Sequence, residues 1–347
     1  MMRSRKMLVL LVAGSLALLA MSGCKDKPAV VSAWPVANVE HVVPQPPEPP
    51  RWPLTGLSAP DSAVIAKRPL AVKVENSPQA RPQTGLNSAD VIYESVTEGG
   101  ITRFNCIFQS TTPKVVGPVR SARLSDLWIV PQYHALFFFS GASSSVNSAV
   151  NAAKLPNLSE DAGVSAPYFR SNKRAAPHNL FLDTQKAYAE AVKRGKLITA
   201  DVPRLQFRPR AADSSNTVSS IYIPFSQANT VQWTYDPARR VYLRQNNGRA
   251  HMDAATGKQV ATKNVVVLWT KYTAKSHDKV GSTTYDIALG GSGRVSVFRD
   301  GVRYDGTWTA TRDTPPHFRD SEGKVIRLAP GNTWFQVIAL NTNITMK

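Results

Sequence analysis

"ITRFNCIFQ", Ile101 to Gln109, sets Phe104, Cys106 and Phe108 on one side of a period-two pattern and Arg103 and Asn105 on the other. Strict alternation of this kind marks a β-strand, because successive side chains leave a strand on opposite faces. Upstream, "LAVKV" repeats the pattern with Leu70, Val72 and Val74 on one side. Downstream, "ALFFF" at 135–139 is a continuous apolar run, the signature of a strand buried on both faces. Ser143 to Ala153 then reads as a small-residue helix. Thr184 to Arg194 reads as a second, with Asp183 or Thr184 as cap, Ala187, Tyr188, Ala191 and Val192 on its apolar side and Gly195 as its stop. Strands interleaved with helices predict an α/β or α+β arrangement for this half.

From about Thr217 the texture is strand only. "SSIYIPF", "VQWTYD", "RVYLRQ", "NVVVLWTKY", "RVSVFRDG" and "TWFQVIAL" are short, rich in β-branched and aromatic residues, and separated by turn signals such as Asn-Asn-Gly and Pro-Gly. The expected fold class is therefore α+β: a mixed α/β domain over 57–212, then a β-rich sandwich or barrel-like domain over 213–347.

The N-terminus adds a targeting segment. Arg3, Arg5 and Lys6 precede an apolar run from Met7 to Leu19, and Ser22-Gly23 leads into Cys24. The run is too short for a comfortable bilayer span, so residues 1–23 read as a cleaved signal peptide. Met-Ser-Gly-Cys resembles a bacterial lipobox, which makes Cys24 the expected lipidation site and the protein an extracytoplasmic one anchored to the bacterial cell membrane. Residues 24–56 form a linker in which "PQPPEPPRWP" holds six prolines in ten residues. A polyproline-like tether of this kind reaches on the order of 90 Å at about 3.1 Å per residue.

Charge narrows the partners. The 42 Lys and Arg of the whole chain, less the three in the signal, face 24 Asp and Glu, a net +15. An exported chain this basic is expected to meet anionic lipid or an anionic wall polymer, and the export signal argues against nucleic acid. With Cys24 lipidated, Cys106 has no partner for a disulfide, so stability rests on a core. Cys106 itself, on the Phe-lined side of its strand, reads as an inert buried thiol. No cofactor motif is present, and His251 with Asp253 is too small a set to hold a metal.

Three polar constellations are the candidate sites. "GPVRSAR", 117–123, reads as a strand-to-helix junction with Pro118 opening the helix and Leu124, Leu127 and Trp128 on its apolar face. Arg120 and Arg123 would then project from the rim of that face, where they need anionic partners: either protein carboxylates such as Glu75, Glu94 and Glu98, or a bound phosphate or carboxylate. "YESVTEGGITRF" supplies Glu94 and Glu98, whose spacing would suit general acid and base work or neutralisation of arginines, and also Arg103. "APHNLF" supplies His178, which titrates near neutral pH in the free state, and Asn179, which both donates and accepts. The serines of "FFSGASSS" lack the spacing of a nucleophile elbow and read as helix caps.

With "VENSPQARPQTGL", "ADVIYESVTEGGITRF", "GPVRSAR" and "APHNLF" in the first half and "NVVVLW", "FRDG", "GTW" and "PGNTWFQV" in the second, the chain resembles the YerB-like bacterial lipoproteins. The resemblance covers about residues 57 to 340. It implies a two-part extracytoplasmic module with no settled activity, and places Glu75, Asn76, Arg81, Glu94, Glu98, Arg103, Arg120, Arg123, His178 and Asn179 among the family-like positions. The expectation is a binding protein rather than an enzyme, holding an anionic cell-wall or lipid-linked group on Arg103, Arg120 and Arg123, oriented by Glu94, Glu98, His178 and Asn179. The alternatives are a cell-wall hydrolase or transferase using Glu94, Glu98 and His178, and a non-catalytic structural adaptor.

Overall fold

The structure, a computed structural model, describes residues 48–211, 216–277 and 283–347. The expected signal peptide, Cys24 and most of the linker lie outside these residues. Glu48 to Lys347 make one compact unit. Residues 50–56, read from their prolines as the end of the tether, are already folded: Arg51 bridges Ser58, and Leu54 and Thr55 are buried.

Nine strands form one mixed sheet that draws on both halves of the chain. From one edge to the other they are His317–Arg319, Val302–Ala310, Gly291–Arg299, Asn264–Thr270, Thr333–Ala339, Val91–Val96, Thr102–Phe108, Leu70–Glu75 and Leu136–Phe138. The halves meet where Thr333–Ala339 runs parallel to Val91–Val96, with Val91 opposite Thr333 and Glu94 opposite Gln336. Among the described residues the second half forms strands and no helix, as its texture suggests. It does not close into a sandwich of its own, because five of its strands extend the sheet begun by the first half. The fold is thus β-rich, with three α-helices among the described residues, all in the first half.

Both faces of this sheet are covered. On one face, Val72, Val74, Phe104, Cys106, Val267 and Trp334 pack against a smaller antiparallel sheet that presents Ile221, Ile223, Val231, Trp233 and Tyr242. On the other, Ala71, Tyr93, Ile107, Phe137, Leu268 and Phe335 pack against Ile129 and Val130 of helix Asp126–Gln132 and Val146 and Val150 of helix Ser144–Ala152. The Thr102–Phe108 strand is therefore buried at all seven positions, although its sequence alternates. Its polar side is not a solvent face; it holds buried polar groups with partners of their own. Asn105, for example, donates to Asp126, which also receives Lys73 at 2.7 Å in an ion pair with both side chains at most 1% exposed.

The predicted caps hold. Ser143 Oγ accepts the Val146 amide, and Asp183 Oδ1 accepts that of Lys186 at the start of helix Thr184–Lys193. The "GPVRSAR" reading does not. Pro118 opens no helix; residues 118–122 are extended and fill the gap where Leu70–Glu75 and Leu136–Phe138 diverge. Glu75 N donates to Pro118 O and Arg120 N to Lys73 O on one side, while Ser140 N donates to Arg120 O and Ala122 N to Gly141 O on the other. The helix starts at Asp126, whose carboxylate accepts the Arg123 amide at 2.7 Å. Gly117 is needed for this path: its φ is +155°, and a Cβ there would lie 2.8 Å from the Phe181 ring and 3.0 Å from the Leu180 carbonyl.

Candidate functional site

The central strands carry polar groups on both faces at one end of the sheet, and the candidate residues divide accordingly. Glu94 points to the face covered by the small sheet and is wholly buried. Its carboxylate accepts two bonds from Arg244 Nη2 at 2.8 and 2.9 Å, one from Thr102 Oγ1 at 2.8 Å, one from Gln336 Nε2 at 2.9 Å and one from Trp334 Nε1 at 3.2 Å. Arg244 is boxed by Phe104, Trp233 and Trp334, with ring centroids 5.0 to 5.8 Å from its guanidinium carbon. It also donates to Asn246 and to His251 Nδ1. Burial, then the charges of Arg244 and Arg81, hold His251 well below its ordinary range. A neutral ring that accepts at Nδ1 and donates from Nε2 to Gln83 Oε1 at 2.6 Å fits that environment.

Asn76 and Arg81 join this interior cluster. Asn76 Nδ2 donates to Thr102 Oγ1 at 2.7 Å and Asn246 Oδ1 at 3.1 Å, and its Oδ1 accepts Arg81 Nε and Gln83 Nε2, each at 3.0 Å. The cluster fastens the first half of the chain to the second. A carboxylate that takes these five bonds and has no exposed surface has no path for proton exchange with a substrate, so Glu94 does not pair with Glu98 as an acid and base.

Glu98, past the end of its strand, belongs to the other face. Its Oε2 accepts Arg123 Nη2 at 2.5 Å and lies 3.8 Å from Arg103 Nη1. Burial alone would raise the Glu98 carboxyl, but the hydrogen bond from Arg123 and the charges of Arg123 and Arg103 outweigh it and hold it below the usual range. Beside it, Glu75 Oε1 accepts Ser77 Oγ at 2.8 Å and meets His178 Nδ1 at 3.0 Å. Arg120 Nε lies 3.3 Å from the same oxygen, an ion pair without hydrogen-bond geometry.

Three guanidinium groups here face two carboxylates, and much of their donor capacity is unspent. The Nε atoms of Arg103, Arg120 and Arg123 and Oε2 of Glu75 are buried without a hydrogen-bond partner. Arg103 is only 6% exposed, and burial, then the charge of Arg123, pull its pKa down to about 9. Arg120 is a quarter exposed and His178 nearly so, which leaves the cluster open on their side. With Nδ1 turned to Glu75, His178 Nε2 has no partner among the described residues. Asn179 takes no part: its Oδ1 accepts Arg170 and its Nδ2 donates to the Ser171 carbonyl, closing its own hairpin.

Other sequence candidates have structural partners. Asp253 accepts the amides of Gly85 and Asn87 at 2.8 and 2.9 Å, and no group of three or more metal-ligating side chains occurs among the described residues. Ser140 bonds Glu160, and burial pushes the Cys106 thiol up. Sequence reasoning missed Arg244, Gln336 and Asn246 in the interior cluster, and Asn229, whose Oδ1 accepts Asn246 Nδ2 at 2.8 Å. A signal for two of them existed, since "VYLRQN" places Tyr242, Arg244 and Asn246 on one side of an alternating strand whose inner side is buried.

Known proteins supply a frame for these clusters. Two family models match, one described as the N-terminal domain of a protein of unknown function (DUF3048) over residues 54–197, the other as its C-terminal domain over residues 221–335. The Bacillus subtilis (strain 168) protein named "Putative lipoprotein YerB" is 30% identical over 291 residues, which is 82% of this chain and 85% of that protein. The crystal structure of the Bacillus subtilis YerB protein superposes with a TM-score of 0.77 at 28% identity, covering 85% of this chain and 99% of that one. The resemblance read from the motifs is thereby borne out.

Proposed function

Because this chain belongs to the DUF3048 family of proteins of unknown function, we propose its role from its own polar clusters: an extracytoplasmic protein, lipid-anchored through Cys24, that holds an anionic group of the cell envelope on Arg103, Arg120 and Arg123. Its likeness to a protein named as a lipoprotein supports the anchoring. Among the described residues no helix is long and apolar enough to cross a bilayer.

The observation that carries the binding reading is the excess of guanidinium donors over carboxylate acceptors around a nearly buried Arg103. A phosphate or carboxylate entering beside Arg120 would accept bonds from the unspent guanidinium groups and offset the desolvation and the repulsion from Arg123 that disfavour the charged form of Arg103. His178 would face that anion with Nε2 while Glu75 and Ser77 orient its ring. Hydrolase and transferase readings retain His178 but lose Glu94, which the interior cluster encloses. The adaptor reading draws on the pairing of Arg120 with Glu75 and of Arg103 and Arg123 with Glu98.

Calorimetric titration with pyrophosphate and with a glycerol phosphate polymer separates these readings. The native protein is expected to bind, and Arg120→Ala/Arg123→Ala to bind about a hundredfold more weakly, since each charged hydrogen bond contributes about 1.5 kcal/mol or more. Equal binding by both proteins would remove the cluster as a site.

A further inference from the structure

A second basic feature lies well apart from that cluster in sequence. A concavity of about 670 Å³ is lined by Arg208, Arg210, Arg299, Arg319, Lys324 and Arg327. Its two acidic residues do not pair with the arginines: Asp320 accepts the Glu322 and Lys324 amides of its own turn, and Glu322 pairs with Lys324. Arg299 is buried and spent as well, with Nε and Nη2 on Asp300 and Nη1 on the carbonyls of Arg208 and Arg327. Through those two carbonyls it fixes the segments that present their neighbours, which are further locked by Arg208 N to Leu328 O and Leu328 N to Gln206 O, each 2.9 Å. Arg208, Arg210, Arg319 and Arg327 stand exposed on this braced frame, and none pairs with a carboxylate among the described residues.

The chain enters its folded body beside this concavity. Leu205 N donates to Pro53 O, Arg204 Nη1 to Arg51 O, and Gly56 lies so close to Phe207 that a Cβ there would be 2.5 Å from its ring. The first folded residues thus rest on the segment that leads directly into Arg208 and Arg210, with Arg51 and Arg204 adding positive charge at the point of entry.

We propose that this face docks on an anionic bilayer, with lipid headgroup phosphates seated among Arg208, Arg210, Arg319 and Arg327. The proposal rests on the lipoprotein reading for its membrane and is independent of the Arg103–Arg120–Arg123 cluster. A lipid on Cys24 would hold the chain at the membrane, and the basic face beside the tether's entry would orient the body on it. Exposed cations near an anionic surface are attracted over about a Debye length, so the contact is electrostatic and salt-sensitive.

The test uses the chain from Lys25 onward, which carries no lipid and keeps the whole compact body, in co-sedimentation with vesicles. Binding is expected to phosphatidylglycerol vesicles and not to phosphatidylcholine, with release at high salt. Arg208→Glu/Arg210→Glu/Arg327→Glu is expected to weaken it by about tenfold or more, whereas Arg120→Ala/Arg123→Ala leaves it unchanged. Circular dichroism checks that the triple variant is folded, and the single variant Arg210→Glu, at an exposed position, gives a smaller loss in the same direction. Equal binding to both lipids, undiminished binding by the folded variants, or displacement from vesicles by a soluble glycerol phosphate polymer that the native chain prefers would overturn the proposal.

Discussion

Glu94 and Arg244 show how the environment of a residue decides its use. The sequence presents Glu94 as one of two glutamates four apart and gives no hint of a cation 150 positions away. Once both are enclosed, neither can be removed alone without leaving a buried charge, a loss of about 3–5 kcal/mol. Arg244→Met is therefore expected to lower Tm sharply in differential scanning calorimetry, and Glu94→Gln/Arg244→Met to recover part of that loss; a variant as stable as the native protein would contradict the enclosed pair. Glu98 behaves differently because it is partly exposed and its carboxyl is depressed. A carboxylate with a folded pKa below its unfolded value stabilises above the unfolded value, near pH 4.3, and that stabilisation is lost as pH falls through the folded value. Thermal stability should drop in this acid window for the native protein and drop less for Glu98→Gln, as melting curves between neutral and strongly acid pH would record.

Among the elements, the strands were the most legible. Phe104, Cys106 and Phe108 announce a strand through their spacing, and the caps of the Ser144 and Thr184 helices follow from short-range chemistry that a local reading can see. What escaped was the fate of the polar side, since alternation does not distinguish a wet face from one that buries Lys73, Asn105 and Asp126 together. The segment 117–123 was misread for a related reason. A Gly-Pro break suits a helix start, but it suits equally an extended piece filling the gap between diverging strands, and only the long-range pairing to Lys73 and Ser140 decides. Gly117→Ala should test that path: with φ at +155° and ring and carbonyl atoms within 3.0 Å of the new methyl group, it is expected to cost about 1–3 kcal/mol. The variant should also weaken anion binding by displacing Arg120. Unchanged melting and unchanged pyrophosphate affinity would show that the extended segment tolerates the shift.

At the scale of the molecule, the two halves that differ so plainly in texture share one sheet. Their seam runs through Val91–Val96 and Thr333–Ala339, with Tyr93 stacked on Phe335 at 4.4 Å and Glu94 bonded to Gln336. Composition cannot reveal such a seam, because each half alone looks like a plausible domain. Residues 57–212 and 213–347 produced as separate chains are therefore expected to lack cooperative melting, and the whole chain to unfold in one transition; two independent transitions matching the isolated halves would refute this.

The position of the Thr333–Ala339 strand also sets a timetable. It lies between Asn264–Thr270 and Val91–Val96, yet it is synthesised after both. Until it arrives, the growing polypeptide carries two unjoined sheet fragments, each with an apolar strand edge open to any neighbour. The nascent protein depends on prompt arrival of this strand, and its loss would remove the keystone that joins the two fragments.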